Sequence, residues 1–168
     1  TIENGRFIEP KGGEVDLDLS DSLVFPAFID MHTHGGMNID FTDLTNENQL
    51  DTLSEFYAGN GAAYFLGTTV TEEIGKIKNS LNIMREKMKK GFSHADMLGA
   101  YLEGPFLAEP FKGAHNPDLL IPPETKHITA LLEENQEIIK VVTIAPELPG
   151  ALDAIKFLTE KGIKVSLG

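Results

Sequence analysis

The stretch Asp30-Met-His-Thr-His34-Gly-Gly places two imidazoles one residue apart, just where the apolar run VFPAFI gives out. On a strand, residues two apart share a face. His32 and His34, with Asp30 behind them, are therefore expected to project together from a strand's C-terminal end. Two imidazoles so placed can close on one metal ion, and Gly35-Gly36 leaves room for backbone or ligand beside them. The plainer alternative is that one or both are core histidines hydrogen-bonded to neighbours. Glu103 closes the apolar run MLGAYL, a place for a carboxylate only if it is paired, protonated or bound to a cation; otherwise it is a strand-end charge meeting solvent or a backbone donor. His115, in the loop sequence KGAHNPD, could donate a hydrogen bond to a carbonyl oxygen as charge develops on it. Its alternative is an ordinary surface histidine beside an Asn-Pro turn. In the same loop Lys112 is a candidate anion contact, while His94 and His127 sit in a pre-strand loop and on a helix with no polar cluster around them.

The elements that must position these groups can be read from the spacing of apolar residues. TIENGRFIEPKGGEVDLDL reads as a short strand, a turn at Pro-Lys-Gly-Gly and a second alternating strand with Val15, Leu17 and Leu19. Val24 to Met31 is apolar on both faces, as a buried parallel strand would be, with Pro26 near its start. A helix comes next, with Leu50, Leu53 and Phe56 or Tyr57 on one face and a stop at Gly59 to Gly61. AAYFLGTTV is a second strand, and Thr71 is the expected N-cap of a long helix carrying Ile74, Ile77, Leu81, Met84 and Met88 to Gly91. MLGAYLEGPF forms a third strand broken at Gly104-Pro105, followed by an irregular stretch and a helix from near Pro123 with Ile128, Leu131 and Leu132. IIKVVTIAPEL is a fourth strand, ALDAIKFLTEKG a helix stopped at Gly162, and IKVSLG the start of a fifth strand.

Strand and helix alternating at this spacing imply right-handed βαβ units around a parallel sheet. An open doubly wound sheet would carry a glycine-rich phosphate turn after its first strand; HTHGG stands there instead. The fold class is therefore α/β, a partial (β/α)8 TIM-like barrel of about the first half, preceded by a short β-hairpin. The domain division is residues 1–23 as part of a small β-domain and 24–168 as barrel. At the mouth of such a barrel, where active sites are built, Glu103 would join His32 and His34. Thr68, Thr69 and Glu147 end the second and fourth strands and should face the same mouth, with nothing in their spacing to assign them work.

Composition narrows the chemistry. With 26 Asp and Glu against 14 Lys and Arg in 168 residues, the net charge of −12 argues against nucleic acid or an anionic membrane as partner. There is no cysteine, so a metal must take His, Asp or Glu. A hydrophobic fraction of 41% without an apolar run of membrane-spanning length reads as a soluble chain, with the cytoplasm as its expected place. The opening lacks a methionine and IKVSLG stops inside what reads as a strand, so the expectation is a part of a longer polypeptide.

FIDMHTHGG resembles the first-strand signature of the amidohydrolase superfamily. LEGPF, KGAHNPDLL and TIAPE, in this order and spacing, are similar to its N-acetylglucosamine-6-phosphate deacetylase family. The resemblance runs from about Pro26 to Gly168, and the opening hairpin resembles the small β-domain of those enzymes. It implies that Glu103 is a principal ligand of a catalytic divalent metal (zinc, iron or manganese). His32 and His34 match a pair that completes a second metal site in some members, and His115 matches the histidine that helps polarise the acetyl carbonyl. It implies metal-assisted deacetylation of N-acetylglucosamine 6-phosphate to glucosamine 6-phosphate and acetate, in a homodimer. The family's two later metal-ligand histidines, its catalytic aspartate and most of its phosphate contacts fall outside this sequence, so these 168 residues alone are expected to bind metal weakly and hydrolyse nothing at a useful rate. Two other readings remain open: another amidohydrolase acting on a related amino-sugar phosphate or cyclic amide, and a non-catalytic half-barrel that binds without turnover.

Overall fold

Apolar residues recurring every three to four positions in some segments, and continuously or alternately in others, fold this chain into helices that each return one strand parallel to the last. In the computed structural model, which describes residues 2–9, 12, 17, 19 and 21–168, the first elements are β1 (Ile2–Glu3), β2 (Arg6–Phe7), β3 (Phe28–Thr33), β4 (Gly35–Gly36) and β5 (Ile39–Asp40). The alternation then runs α1 (Asn48–Gly59), β6 (Ala62–Thr69), α2 (Ile74–Lys90), β7 (Asp96–Leu102), α3 (Thr125–Leu132), β8 (Ile139–Ile144), α4 (Ala151–Glu160) and β9 (Lys164–Leu167). Strands β3, β6, β7, β8 and β9 pair in that order, all parallel. Among the described residues the order never reverses, as in a barrel arc, and these five strands contain no switch point of a doubly wound sheet. The result is a curled parallel half-barrel, as expected.

The core lies between this sheet and its helices. Phe41, Leu50, Leu53, Phe65, Ile77, Leu81 and Met84 are fully buried there, joined further along by Ile128, Leu131, Ile139, Ala154 and Leu158. Burying each large side chain contributes about 1.5–3 kcal/mol. α1 packs on β6, α2 on β7 and beside α3, and α4 on β9. A 3-10 turn at Phe41–Asp43 is capped by the Asp40 carboxylate, which accepts the Thr42 backbone N–H at 2.6 Å. It drives the Phe41 ring onto Gly67, where a Cβ would lie 2.9 Å from the ring. A larger residue at 67 would push apart the layer that fixes β6 beneath its neighbouring loops.

Three local expectations are corrected. The opening hairpin reverses at Asn4-Gly5, pairing Ile2 with Phe7 and Glu3 with Arg6, because two successive positive φ values (53° and 70°) supply the twist that a two-residue turn needs. Of the expected Pro10–Gly13 turn and second strand, Pro10, Lys11, Gly13 and Val15 lie outside the described residues, and Leu17 and Leu19 are not in a strand. The strand expected over Val24 to Met31 begins only at Phe28 and is not buried. Phe28, Ile29 and Met31 are 63%, 52% and 66% exposed, since β3 pairs with β6 alone and its other edge is uncovered among the described residues. Lastly, α2 is preceded at its N-cap by Glu73, and Thr71 caps nothing.

Candidate metal centre

The three strand ends β3, β6 and β7 lie side by side, so the residues just past each of them meet at one mouth. Register shifts between Asp30 and Thr33 mark an irregular end to β3. His32 Nε2 stands 2.8 Å, and His34 Nε2 2.9 Å, from the same Glu103 oxygen, Oε2. Ligand atoms from the three residues all fall within 4.8 Å of one another. His115 Nε2 is 3.7 Å from the other carboxylate oxygen, Oε1. All four candidate residues therefore converge. Asp30 does not join them: its carboxylate turns back to accept the His32 backbone N–H at 3.2 Å.

The strand between the two ligand-bearing ones does the positioning. The β6 residue Thr68 accepts, at its carbonyl, a hydrogen bond from His34 Nδ1 (3.2 Å), and at its hydroxyl one from the Thr33 backbone N–H (3.1 Å). Glu103 donates its own backbone N–H to the Thr69 carbonyl at 3.0 Å, which carries the β6–β7 ladder one residue past Leu102. Beyond β6, Thr71 reaches His115: its hydroxyl lies 2.7 Å and its backbone nitrogen 3.2 Å from His115 Nδ1. Tyr101 packs its ring on His32, with centroids 4.7 Å apart, and accepts from the Thr143 hydroxyl at 3.2 Å. Thr68 and Thr71 were missed as working residues because neither titrates. Only Thr68's place at a strand end hinted at a role.

The glycines after His34 make room for backbone. A Cβ at Gly35 would lie 2.0 Å from the Ile39 carbonyl oxygen, and one at Gly36 would lie 2.7 Å from the Phe56 ring. They form the tight β4–β5 hairpin that turns at Met37 and Asn38, both at positive φ. Lys112 is also accounted for within its loop, donating to the carbonyls of His115 (2.8 Å) and Gly113 (3.3 Å). Glu147 and His94 are exposed, while His127 Nδ1 lies 3.0 Å from the Pro122 carbonyl on the far loop.

The donor pattern at this mouth calls for a proton or a cation. A carbonyl oxygen can only accept, so His34 Nδ1 carries a proton, and Nε2 is the ring atom turned toward Glu103 Oε2. Two acceptors 2.9 Å apart repel unless a proton or a positive ion lies between them. Burial pushes the Glu103 carboxyl pKa up, but a hydrogen bond from His32 and the positive character of His32, His34 and His115 outweigh it, so the net shift is downward. An ionised carboxylate with two imidazoles is a donor set that suits zinc, iron or manganese.

Known proteins are similar to this chain over most of its length. N-acetylglucosamine-6-phosphate deacetylase of Vibrio furnissii is 36% identical over 171 residues, covering 99% of this chain and 43% of that protein. The Bacillus subtilis enzyme of the same name is 32% identical, covering 100% and 43%. Over most of its length this chain matches the N-acetylglucosamine-6-phosphate deacetylases. The crystal structure of the deacetylase from Mycobacterium smegmatis superimposes with a TM-score of 0.76 at 28% identity, covering 85% of this chain and 39% of that one. N-acetylgalactosamine-6-phosphate deacetylase of Escherichia coli O157:H7 is 38% identical over 146 residues, covering 87% of this chain and 38% of that enzyme. No family model matches the chain. The chain thus spans about two fifths of the length of the deacetylases it matches.

Proposed function

We propose that His32, His34 and Glu103 hold a divalent metal, zinc, iron or manganese, in a hydrolase that removes the acetyl group from N-acetylglucosamine 6-phosphate, releasing glucosamine 6-phosphate and acetate. The observation that carries this reading is the convergence of His32, His34 and Glu103, with Nε2 of both rings turned on one carboxylate oxygen at the mouth of a parallel half-barrel. In support, a Mycobacterium smegmatis deacetylase variant crystallised with N-acetyl-D-glucosamine-6-phosphate matches with a TM-score of 0.77. When bound, such an ion supplies a Lewis acid and brings the pKa of water down to about 7. The chain's own residues do the rest of the work assigned here. His115, with Nε2 directed at the mouth, donates to the acetyl carbonyl oxygen as it gains negative charge. Glu103 remains ionised, and the Thr68 carbonyl keeps the His34 ring turned so that Nε2 faces inward.

Residues 24–168 are read as the N-terminal half of the hydrolase barrel and residues 1–23 as part of a small β-domain. Among the described residues no helix is long and apolar enough to cross a membrane; a cytoplasmic homodimer is the matching proposal. The test is acetate release from N-acetylglucosamine 6-phosphate by the whole protein that carries these 168 residues, first stripped of metal and then reloaded with zinc, manganese or iron. Metal-dependent release supports the reading; none with any of the three overturns it. The Escherichia coli relative favours a second sugar, N-acetylgalactosamine 6-phosphate. Assaying both epimers side by side separates the two by their kcat/KM ratio.

A further inference from the structure

We infer that Thr71 is a positioning residue for His115: its hydroxyl and backbone N–H together fix the proton of the neutral ring on Nε2, the nitrogen that faces the metal centre. This rests on the proposed role of His115, but the geometry stands apart from it. A backbone N–H can only donate, so the Thr71 nitrogen, 3.2 Å from His115 Nδ1, requires that atom to be a bare acceptor. The Thr71 hydroxyl at 2.7 Å must then donate to it as well. With Nδ1 doubly engaged, the neutral ring carries its proton on Nε2, which lies 3.7 Å from Glu103 Oε1. The opposite tautomer would turn a lone pair toward that carboxylate and an N–H against the Thr71 N–H.

Three further features hold the arrangement. Thr71 is buried, so water does not compete for its hydroxyl. His115 is largely buried and its loop is closed by the bond from Lys112 Nζ to the His115 carbonyl. Gly104, at φ +93°, leaves the space into which the Thr71 hydroxyl fits, for a Cβ there would come within 2.0 Å of Oγ1. The motif Leu-Glu-Gly-Pro thus supplies Glu103 to the mouth and, one residue on, the gap that lets Thr71 reach His115.

The test reads the ring directly. Long-range proton–nitrogen correlation spectra of the selectively labelled protein, at a pH where His115 is neutral, report which ring nitrogen is protonated. The wild-type protein should show Nε2–H alone. Thr71→Val, of nearly the same shape, should show an average of both tautomers, and Thr71→Ser should restore the wild-type pattern. In the reloaded enzyme Thr71→Val should lower kcat roughly 10-fold with KM nearly unchanged, the lower end of what loss of such supporting bonds costs. Gly104→Ala should repeat both effects by displacing the hydroxyl. A wild-type ring protonated on Nδ1, or one whose tautomer is the same in Thr71→Val, overturns the inference. If the wild-type protein releases no acetate, the proposed function falls while the spectra still decide the role of Thr71.

Discussion

Replacing Glu103 by glutamine separates a metal centre from a simple ion pair, because the two predict opposite results for stability. Without metal, a glutamine NH2 standing where Oε2 stands, 2.9 and 2.8 Å from the two rings, can donate one N–H to Nε2 of His34 and the other to Nε2 of His32, with both neutral rings protonated on Nδ1. The metal-free variant should therefore unfold at the wild-type temperature or slightly above it. With metal the order reverses. At a free metal concentration 100 times Kd, binding stabilises the native state by about 2.7 kcal/mol. For a chain of 168 residues, each kcal/mol is about 2–4 °C in Tm, so the wild type should gain about 5–11 °C. A neutral amide is a poor ligand, and a loss of about 100-fold in affinity would leave roughly 0.4 kcal/mol, or about 1–2 °C, at the same metal concentration. Thermal unfolding of both proteins, chelated and then titrated with zinc, manganese or iron, is the assay. The reasoning fails if Glu103→Gln keeps the full metal-induced shift. It fails equally if the chelated variant loses more than about 2 kcal/mol, since Glu103 would then be a native-state partner of the histidines and no ligand.

Other expected outcomes are more local. His115→Ala in the reloaded enzyme should lower kcat by about 10²–10³-fold and raise KM much less, because an oxyanion donor acts mainly in the transition state; steady-state kinetics on N-acetylglucosamine 6-phosphate checks it. Phe41→Ala, which empties a fully buried site stacked on Phe65 and over Gly67, should cost about 3–5 kcal/mol by urea unfolding. The Glu72 carboxyl titrates below its ordinary value, chiefly through the hydrogen bond from Lys76, so its small contribution is complete above the unfolded carboxylate range and is lost as pH falls through the lowered pKa. Lys76→Ala should move the Glu72 titration, followed by carbon-detected NMR, back up toward the ordinary carboxylate value.

Much of the fold was legible because its signals are local. Helical spacing placed α1 to α4 close to their observed limits, and Gly91 and Gly162 stand just past the ends of α2 and α4 as their type suggests. Burial was less legible, since it depends on partners. The apolar residues Phe28, Ile29 and Met31 look the same in sequence whether their strand is covered or sits at an edge. The opening turn was misplaced for a different reason. Asn4-Gly5 has the stronger two-residue signal, yet the flanking strands are only two residues each and show almost no alternation.

At the site, the legible part was the part that titrates. His32, His34, Glu103 and His115 stand out by chemical type, and the parallel order carries them to one mouth. Their orienting partners do not stand out, and the topology explains why. Because β6 lies between β3 and β7, its end touches the groups just beyond both: Thr68 holds His34, Thr69 holds the Glu103 backbone, and Thr71 holds His115. Thr71 and His115 are 44 positions apart, so no window of helical or strand periodicity contains both. In a monotonic parallel sheet, the strand between two ligand-bearing strands is therefore where the positioning groups belong. Its carbonyl at Thr68, and the Thr71 hydroxyl just beyond it, decide which nitrogen His34 and His115 turn toward Glu103.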